Sequence, residues 1–336
     1  GMFLAGPMGP SMMGDMGADV IKVEPLTGDR IRFMHRYYQA ASRSKRSIAL
    51  DLTNPGAQPI LERLLKWAEA VHHNMRFKGA AKLGLSEEGI RGHNPNAAFN
   101  YVSAYGQRGS RGNWPGYDSI FNAIAGWEFE NAGEGNKPVF NRPGTMDVSS
   151  AQSALVELMA SLYALRAHGK AHTTQTSLLG ISAFTQGETL ILPDGSLAET
   201  HHLTSDQTGF GPYHRIYQCA DGNWIAVAAH TEARRAAMQQ VLGGDEAGFV
   251  EAAAARSSDD LFAALEAAGV PCDRVTFEAA EDQFFANPLH RELNLISVLE
   301  QPLYGTVEQF GAFWCFGDVP IIFKQAAPAI GQHTDE

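Results

Sequence analysis

Asn141-Arg142-Pro143-Gly144-Thr145-Met146-Asp147 leads into twenty mostly apolar or small residues, Val148 to Ala167. Ala151, Ala154, Leu155, Leu158, Met159, Leu162 and Leu165 recur there at intervals of three and four, the pattern of a long helix. His168-Gly169-Lys170 supplies the stop signal. Asp147 therefore stands at a helix start, where free backbone N–H groups and the helix dipole favour an ionised carboxylate. Taken alone, an Asp in this place reads as an N-cap. Its neighbours along the chain point to chemistry instead.

On either side of this helix, strand and helix patterns alternate over the first ~190 residues, which favours a largely parallel sheet covered by helices. Val20 to Val23, Ser47 to Leu52, Ala98 to Ala104 and Thr173 to Ser177 read as strands. Asn54-Pro55 opens a helix with Ile60, Leu61, Leu64, Leu65 and Trp67 on its apolar face. Tyr117 to Trp127 and Leu178 to Leu190 read as further helices. Pro193 to Pro212 is polar and aperiodic, a linker. Tyr213 to Gln218 and Asn223 to Ala229 form a hairpin pattern turning at Ala220-Asp221-Gly222, and Ala-rich helices follow to about residue 285. The expected organisation is a large α/β domain of residues 1–190 and 286–336, a linker at 191–204, and a small α+β domain of residues 205–285.

The 336 residues, 44% of them apolar, suffice for a sizeable core. A net charge of -11 argues against a nucleic-acid surface. Cys219, Cys272 and Cys315 have neither metal-ligand spacing nor a disulfide framework, so the expectation is no metal and a reduced, cytoplasmic setting. No run approaches the ~20 apolar residues of a membrane span. Gly-x-Ser-x-Gly, His-Glu-x-x-His and the phosphate-binding Gly-x-x-x-x-Gly-Lys-Ser/Thr are absent. A side-chain carboxylate can form an anhydride with an acyl group and a thioester with a thiol in turn.

A series of short segments, in order along the chain, carries a resemblance. They are Ala5-Gly6-Pro7, then Gly14-Asp15-Met16-Gly17-Ala18-Asp19-Val20-Ile21-Lys22-Val23-Glu24 with Gly28-Asp29, and Ser44-Lys45-Arg46-Ser47-Ile48-Ala49-Leu50-Asp51-Leu52. Asn94-Pro95, Tyr105-Gly106-Gln107 and Pro115-Gly116-Tyr117-Asp118 follow. Tyr217, Asp221-Gly222 and Val270-Pro271 come next, and Gly331-Gln332-His333-Thr334-Asp335-Glu336 is last. Together with Asp147 they resemble, nearly end to end, the class III CoA-transferases (the CaiB/BaiF family, which includes formyl-CoA transferase and α-methylacyl-CoA racemase).

The resemblance implies a Rossmann-like large domain, a smaller domain, and an interlocked homodimer in which each chain threads through its partner. It implies that coenzyme A is a substrate and that small carboxylic acids are its donors and acceptors. Asp147 then becomes the nucleophile that carries an aspartyl-CoA thioester. Tyr105 approaches the reacting acyl group, and Thr208-Gly209-Phe210-Gly211 is a partial match to the loop whose amides stabilise the oxyanion, which makes Gly209 and Gly211 candidates. For CoA, Ala5 lies beside the pantetheine tail, Asn74 and Arg76 line the nucleotide pocket, and Lys82 stands where relatives place a phosphate-binding Arg. Arg43 and Arg46 are further cationic candidates. Tyr117 replaces the His that moves the α-proton in the racemases, and Tyr is a poor base at neutral pH. A racemase-type isomerase and a non-catalytic CoA-binding subunit stand as alternatives. The family's first strand and last helix have no match, which leaves open a shortened member or a piece of a longer chain.

Overall fold

A computed structural model describes residues 1–198, 202–276 and 284–336. Within the expected linker, residues 199–201 lie outside the described residues, as do residues 277–283 of the expected small domain. The chain divides into two compact units. The first comprises Gly1–Ala125, Arg142–Gly187 and Asn287–Glu336, and the second Gly126–Asn141 and Glu188–Ala286.

The chain begins with α1 (Met8–Asp15), β1 (Ile21–Glu24), α2 (His35–Ser42), β2 (Arg46–Ala49), α3 (Gln58–Trp67) and β3 (Ala70–His73). Next come α4 (Phe77–Lys82), α5 (Glu87–His93), β4 (Ala98–Ser103), α6 (Asp118–Ala125), α7 (Trp127–Glu130), α8 (Thr145–His168), β5 (Thr173–Ser177) and α9 (Leu178–Phe184). The middle of the chain holds β6 (Gly209–Gly211), β7 (His214–Gln218), β8 (Trp224–Ala228), α10 (Glu232–Leu242), α11 (Phe249–Ala254), α12 (Ser258–Ala267) and β9 (Cys272–Arg274). It closes with α13 (Pro288–Glu292), β10 (Ile296–Gln301) and β11 (Gly305–Phe310).

The parallel strands of the first unit fall into two sheets, one of β1 and β2 and one in the order β3-β4-β5. All six residues of β4 are buried, as expected of a central parallel strand covered on both faces. One face packs against Leu61 and Leu65 of α3 and Ile90 of α5. The other receives α8, whose Ala154 meets Val102. Helix α8 also buries Ala151, Leu155 and Leu158 against Met12 and Met13 of α1. Gly9 makes this approach possible, since a Cβ there would stand 2.8 Å from the Ala151 carbonyl oxygen. Asn54 accepts the Gly56 N–H at 2.9 Å and Pro55 enters the turn that leads into α3, as the sequence implies.

The last residues run back over the first sheet. The Ser44 N–H donates to Gln325 O at 2.8 Å, and the His333 N–H to Ser47 O at 2.9 Å. In the second unit, β6, β7, β8 and β9 form an antiparallel sheet in that order. Tyr217, Ile225 and Val227 face the core that Met238, Phe249, Leu261 and Leu265 complete. Gly222 has φ +80°, which the turn between β7 and β8 needs and which Asp221-Gly222 announces in the sequence. Helix α9 is shorter than its sequence pattern. It ends at Phe184, and Leu190 to Leu192 are exposed.

Candidate active site

Helix α8 starts at Thr145, with Gly144 as its N-cap at φ 136° and no side chain capping it. Asp147 is the third residue of the helix, inside the first turn. The cap comes from another helix. Asp118, at the start of α6, accepts the Asp147 backbone N–H through Oδ2 at 2.9 Å. Its Oδ1 accepts from Asn122 Nδ2 at 2.7 Å, which fixes the carboxylate in place. Asp118 is buried, and Asp147 is half-buried.

This arrangement frees the Asp147 side chain. Its carboxylate has no hydrogen-bond or ion-pair partner among the described residues. A helix N-terminus favours an anion by roughly 0.3–1 kcal/mol, well under one pKa unit. Burial opposes ionisation, and the Asp118 charge adds to it, so the Asp147 pKa rises to about 7. The wish to ionise that the sequence suggested is thus outweighed. The carboxylate is a half-sheltered base with a pKa near neutrality and both oxygens unengaged.

Other candidates pack on α8, on α6 or on the segment before α1. Ala5 packs on Ala154, seven residues beyond Asp147 and so on the same face of α8. Val148 packs with the cluster of Leu4, Ile31 and Tyr38. The rings of Phe3 and Tyr117 meet edge to face at 5.8 Å, one residue from Asp118. Tyr105 follows β4, its ring 5.0 Å from that of Phe121 in α6 and under the Arg111 guanidinium at 5.6 Å. The Asn74 amide holds the N–H and carbonyl of Met2, each at 2.7 Å, and lies against Gly6.

The cationic candidates separate into two kinds. Arg76 and Lys82 stand at the two ends of α4, exposed and without a side-chain partner among the described residues. Arg43 is buried and donates to Asp15 at 2.8 Å and to the carbonyls of Phe310 and Gly311. Arg46 pairs with Asp19 at 2.7 Å. Gly209 and Gly211 lie on β6 of the second unit, with a bulge between them. A Cβ at Gly209 would stand 2.2 Å from that of Arg215, so only glycine fits there. An open groove of ≈ 420 Å³ runs past Gly209, Phe210, Ile216, Ala226 and Cys272.

Asp118 is the site residue that sequence reasoning passed over. Its signal was an acid opening a helix pattern within Gly116-Tyr117-Asp118. Which N–H it would cap was not written there, because its partner lies 29 residues away.

Two parallel sheets in the first unit and an antiparallel four-stranded sheet in the second define a mixed α/β protein. Residues 1–334 match CoA-transferase family III, and the chain belongs to that family of enzymes. It is 35% identical to succinate–glutarate CoA-transferase of Agrobacterium fabrum over 182 residues, a match covering 47% of this chain and 45% of that one. It is 27% identical to succinyl-CoA–D-citramalate CoA-transferase of Chloroflexus aurantiacus over 100% of this chain and 90% of that one. The fold is that of the Mycobacterium tuberculosis protein Rv3272, with a TM-score of 0.84 at 22% identity, covering 100% of this chain and 95% of that one. No helix among the described residues is long and apolar enough to cross a membrane.

Proposed function

We propose that this protein is an acyl-CoA:carboxylate CoA-transferase with Asp147 as nucleophile. The observation that carries the proposal is the unengaged Asp147 carboxylate, whose backbone is pinned by Asp118 while its oxygens stay free. An Asp147 oxygen attacks the donor thioester carbonyl, and the C–S bond breaks. This gives a mixed anhydride and the CoA thiolate. The thiolate attacks the aspartyl carbonyl, and the anhydride C–O bond breaks, releasing the donor acid and leaving an aspartyl-CoA thioester. The acceptor carboxylate attacks that thioester, and the same two steps run in reverse return free Asp147 and the new acyl-CoA.

Each tetrahedral intermediate needs N–H donors, the role proposed for Gly209 and Gly211. Tyr105 would sit at the acyl group and Ala5 at the pantetheine tail. The nucleotide belongs near Asn74, with Arg76 and Lys82 as the free cations for its phosphates. Arg43 and Arg46 are poorer prospects, because their guanidinium groups already have partners. The proposal extends to a Rossmann-like first unit, an interlocked dimer and a cytoplasmic setting. Succinate is the first acid to try, since both curated relatives carry it, or its CoA ester, in their names.

Intact-protein mass after mixing with a panel of acyl-CoAs tests the mechanism. A CoA adduct on the parent that is absent from Asp147→Asn supports it, whereas full turnover by Asp147→Asn would remove Asp147 as the nucleophile. An α-methylacyl-CoA racemase remains the second reading, because a carboxylate with a pKa near 7 can also move a proton. Deuterium uptake at the α-carbon without CoA exchange would promote it.

A further inference from the structure

His72 and His73 are adjacent on β3 and point to opposite faces of the sheet. His73 is satisfied as a neutral ring. Its Nε2 donates to Leu85 O at 2.8 Å, and its Nδ1 accepts the Met75 N–H at 3.3 Å. His72 is not. Its Nε2 lies 2.7 Å from the Gly6 carbonyl and its Nδ1 lies 2.8 Å from Asn100 Oδ1, so both nitrogens face acceptors. Asn100 is fully buried on the neighbouring strand, in register with His72 on one side and Thr174 on the other. Its Nδ2 meets a Glu157 oxygen and, at 3.0 Å, Thr174 Oγ1. Glu157 comes from α8, the helix of Asp147, and Ser153 Oγ lies 3.4 Å from its other oxygen.

Two arrangements satisfy this row, and both hold one proton. In the first, an imidazolium donates from both nitrogens and the Asn100 amide bridges to a Glu157 carboxylate. In the second the amide is turned over, which swaps two groups of nearly equal size. Glu157 then carries the proton and donates to Asn100 Oδ1. Asn100 donates to His72 Nδ1, and His72 Nε2–H donates to Gly6 O. Passing from one to the other moves the proton from His72 to Glu157, reverses the hydrogen bonds of the Asn100 amide, and turns Thr174 Oγ1 from acceptor to donor toward it. We infer that the second arrangement is the resting one, and that the row His72-Asn100-Glu157 fixes His72 as an Nε2–H donor whose task is to hold the Gly6 carbonyl.

The interior favours this choice, because an ion pair spread across an amide must be desolvated at both ends. Burial presses the same way on both groups, lowering the His72 pKa to about 3 and raising that of Glu157. The other titratable groups acting on His72 are the Gly1 amino group and His73. Gly6 lies between Ala5 and Pro7, the residue that leads into α1. On the proposed function, to which this part of the inference is tied, that segment borders the pantetheine tail. His72 is then a positioning residue for CoA, acting through Gly6.

Nitrogen-15 NMR of histidine-labelled protein reads the proton directly. The His72 signal, assigned by its loss in His72→Phe and its shift in Glu157→Gln, should show the neutral Nε2–H tautomer. It should not titrate between about pH 5 and 8, where an ordinary histidine does. An imidazolium signal at neutral pH, or titration in that window, overturns the inference. Calorimetry with free CoA tests the positioning. His72→Phe should weaken binding about tenfold and raise KM more than it lowers kcat. Glu157→Ala should weaken it several-fold, and Glu157→Gln, which can still donate to Asn100, should recover it. Parental affinity in His72→Phe, or failure of Gln to rescue, overturns the positioning role. If the parent bound no CoA, the proposed function and the positioning role would both fail, while the tautomer would still be decided by NMR.

Discussion

Two groups of acidic side chains in the first unit differ in what stands beside them. Around β1 every buried carboxylate has a cation. Asp29 pairs with Lys22 at 2.8 Å, Asp15 with Arg43 at 2.8 Å, and Glu24 with Arg32 at 2.5 Å. Hydroxyls of Ser44 and Ser47 complete the last two. At the start of α8, Asp118 and Asp147 lie together with no cation paired to either among the described residues. Matched charges in an interior hold chain segments together, and a matched carboxylate is a poor nucleophile because its lone pairs are engaged. The unmatched pair costs stability, and perturbed carboxylates of this kind cluster at functional sites.

The sharpest test asks whether the unmatched carboxylate does the chemistry. Asp147→Asn should lower CoA exchange by a factor of at least ~10⁴, in line with the loss of a covalent nucleophile elsewhere, measured with succinyl-CoA and a free acid. The matched group should fail differently. Arg43→Met strands Asp15, and losing one partner of a buried pair costs about 3–5 kcal/mol, read as a lower urea midpoint. An unchanged midpoint would show that the cluster around β1 is not structural.

Asp118→Asn keeps an acceptor for the Asp147 N–H and removes the charge. The acid limb of kcat/KM, expected near the Asp147 value of about 7 in the parent, should move lower. It should not reach the free-acid range, because burial is the larger cause and remains. A limb that stays in place would assign it to another group.

The smallest effect is on stability. Asp147 titrates higher folded than unfolded, so the stability it contributes is full below its ordinary value of 3.8 and is lost as pH rises through about 7. Asp147→Asn cannot ionise. It should match the parent near pH 4 and exceed it at pH 8 by on the order of 1–2 kcal/mol, discounted for the partial exposure of the carboxylate. Equal unfolding curves at pH 8 would mean that neither burial nor the Asp118 charge raises the Asp147 pKa in the folded chain.

Elements that depend on neighbours in sequence were legible. The α8 periodicity, the Asn54-Pro55 entry to α3 and the Asp221-Gly222 turn each state their own geometry. Contacts between distant residues were not. Asp147 looked like a cap because nothing in 141–147 says that Asp118 takes that role. Arg43 and Arg46 looked like free cations because Asp15, Asp19 and the carbonyls at 310 and 311 are remote along the chain. Leu190 extended an apolar pattern past Phe184 although it lies exposed, since periodicity reports hydrophobicity and not burial.

The bonds from residues 322–333 to the first sheet have a consequence during synthesis. Ser47 and its partner His333 are 286 positions apart, and Ala327 completes the cluster of Leu4, Ile31 and Tyr38. A ribosome adds about 5–20 residues per second, so the amino-terminal strands emerge roughly 15–60 s before the chain that covers them. For that interval an open strand edge and an unfinished apolar surface face the crowded cell. Translation speed and the holdase chaperones near the exit tunnel therefore bear on the yield of native protein more heavily here than in a fold whose early strands are covered by neighbours in sequence.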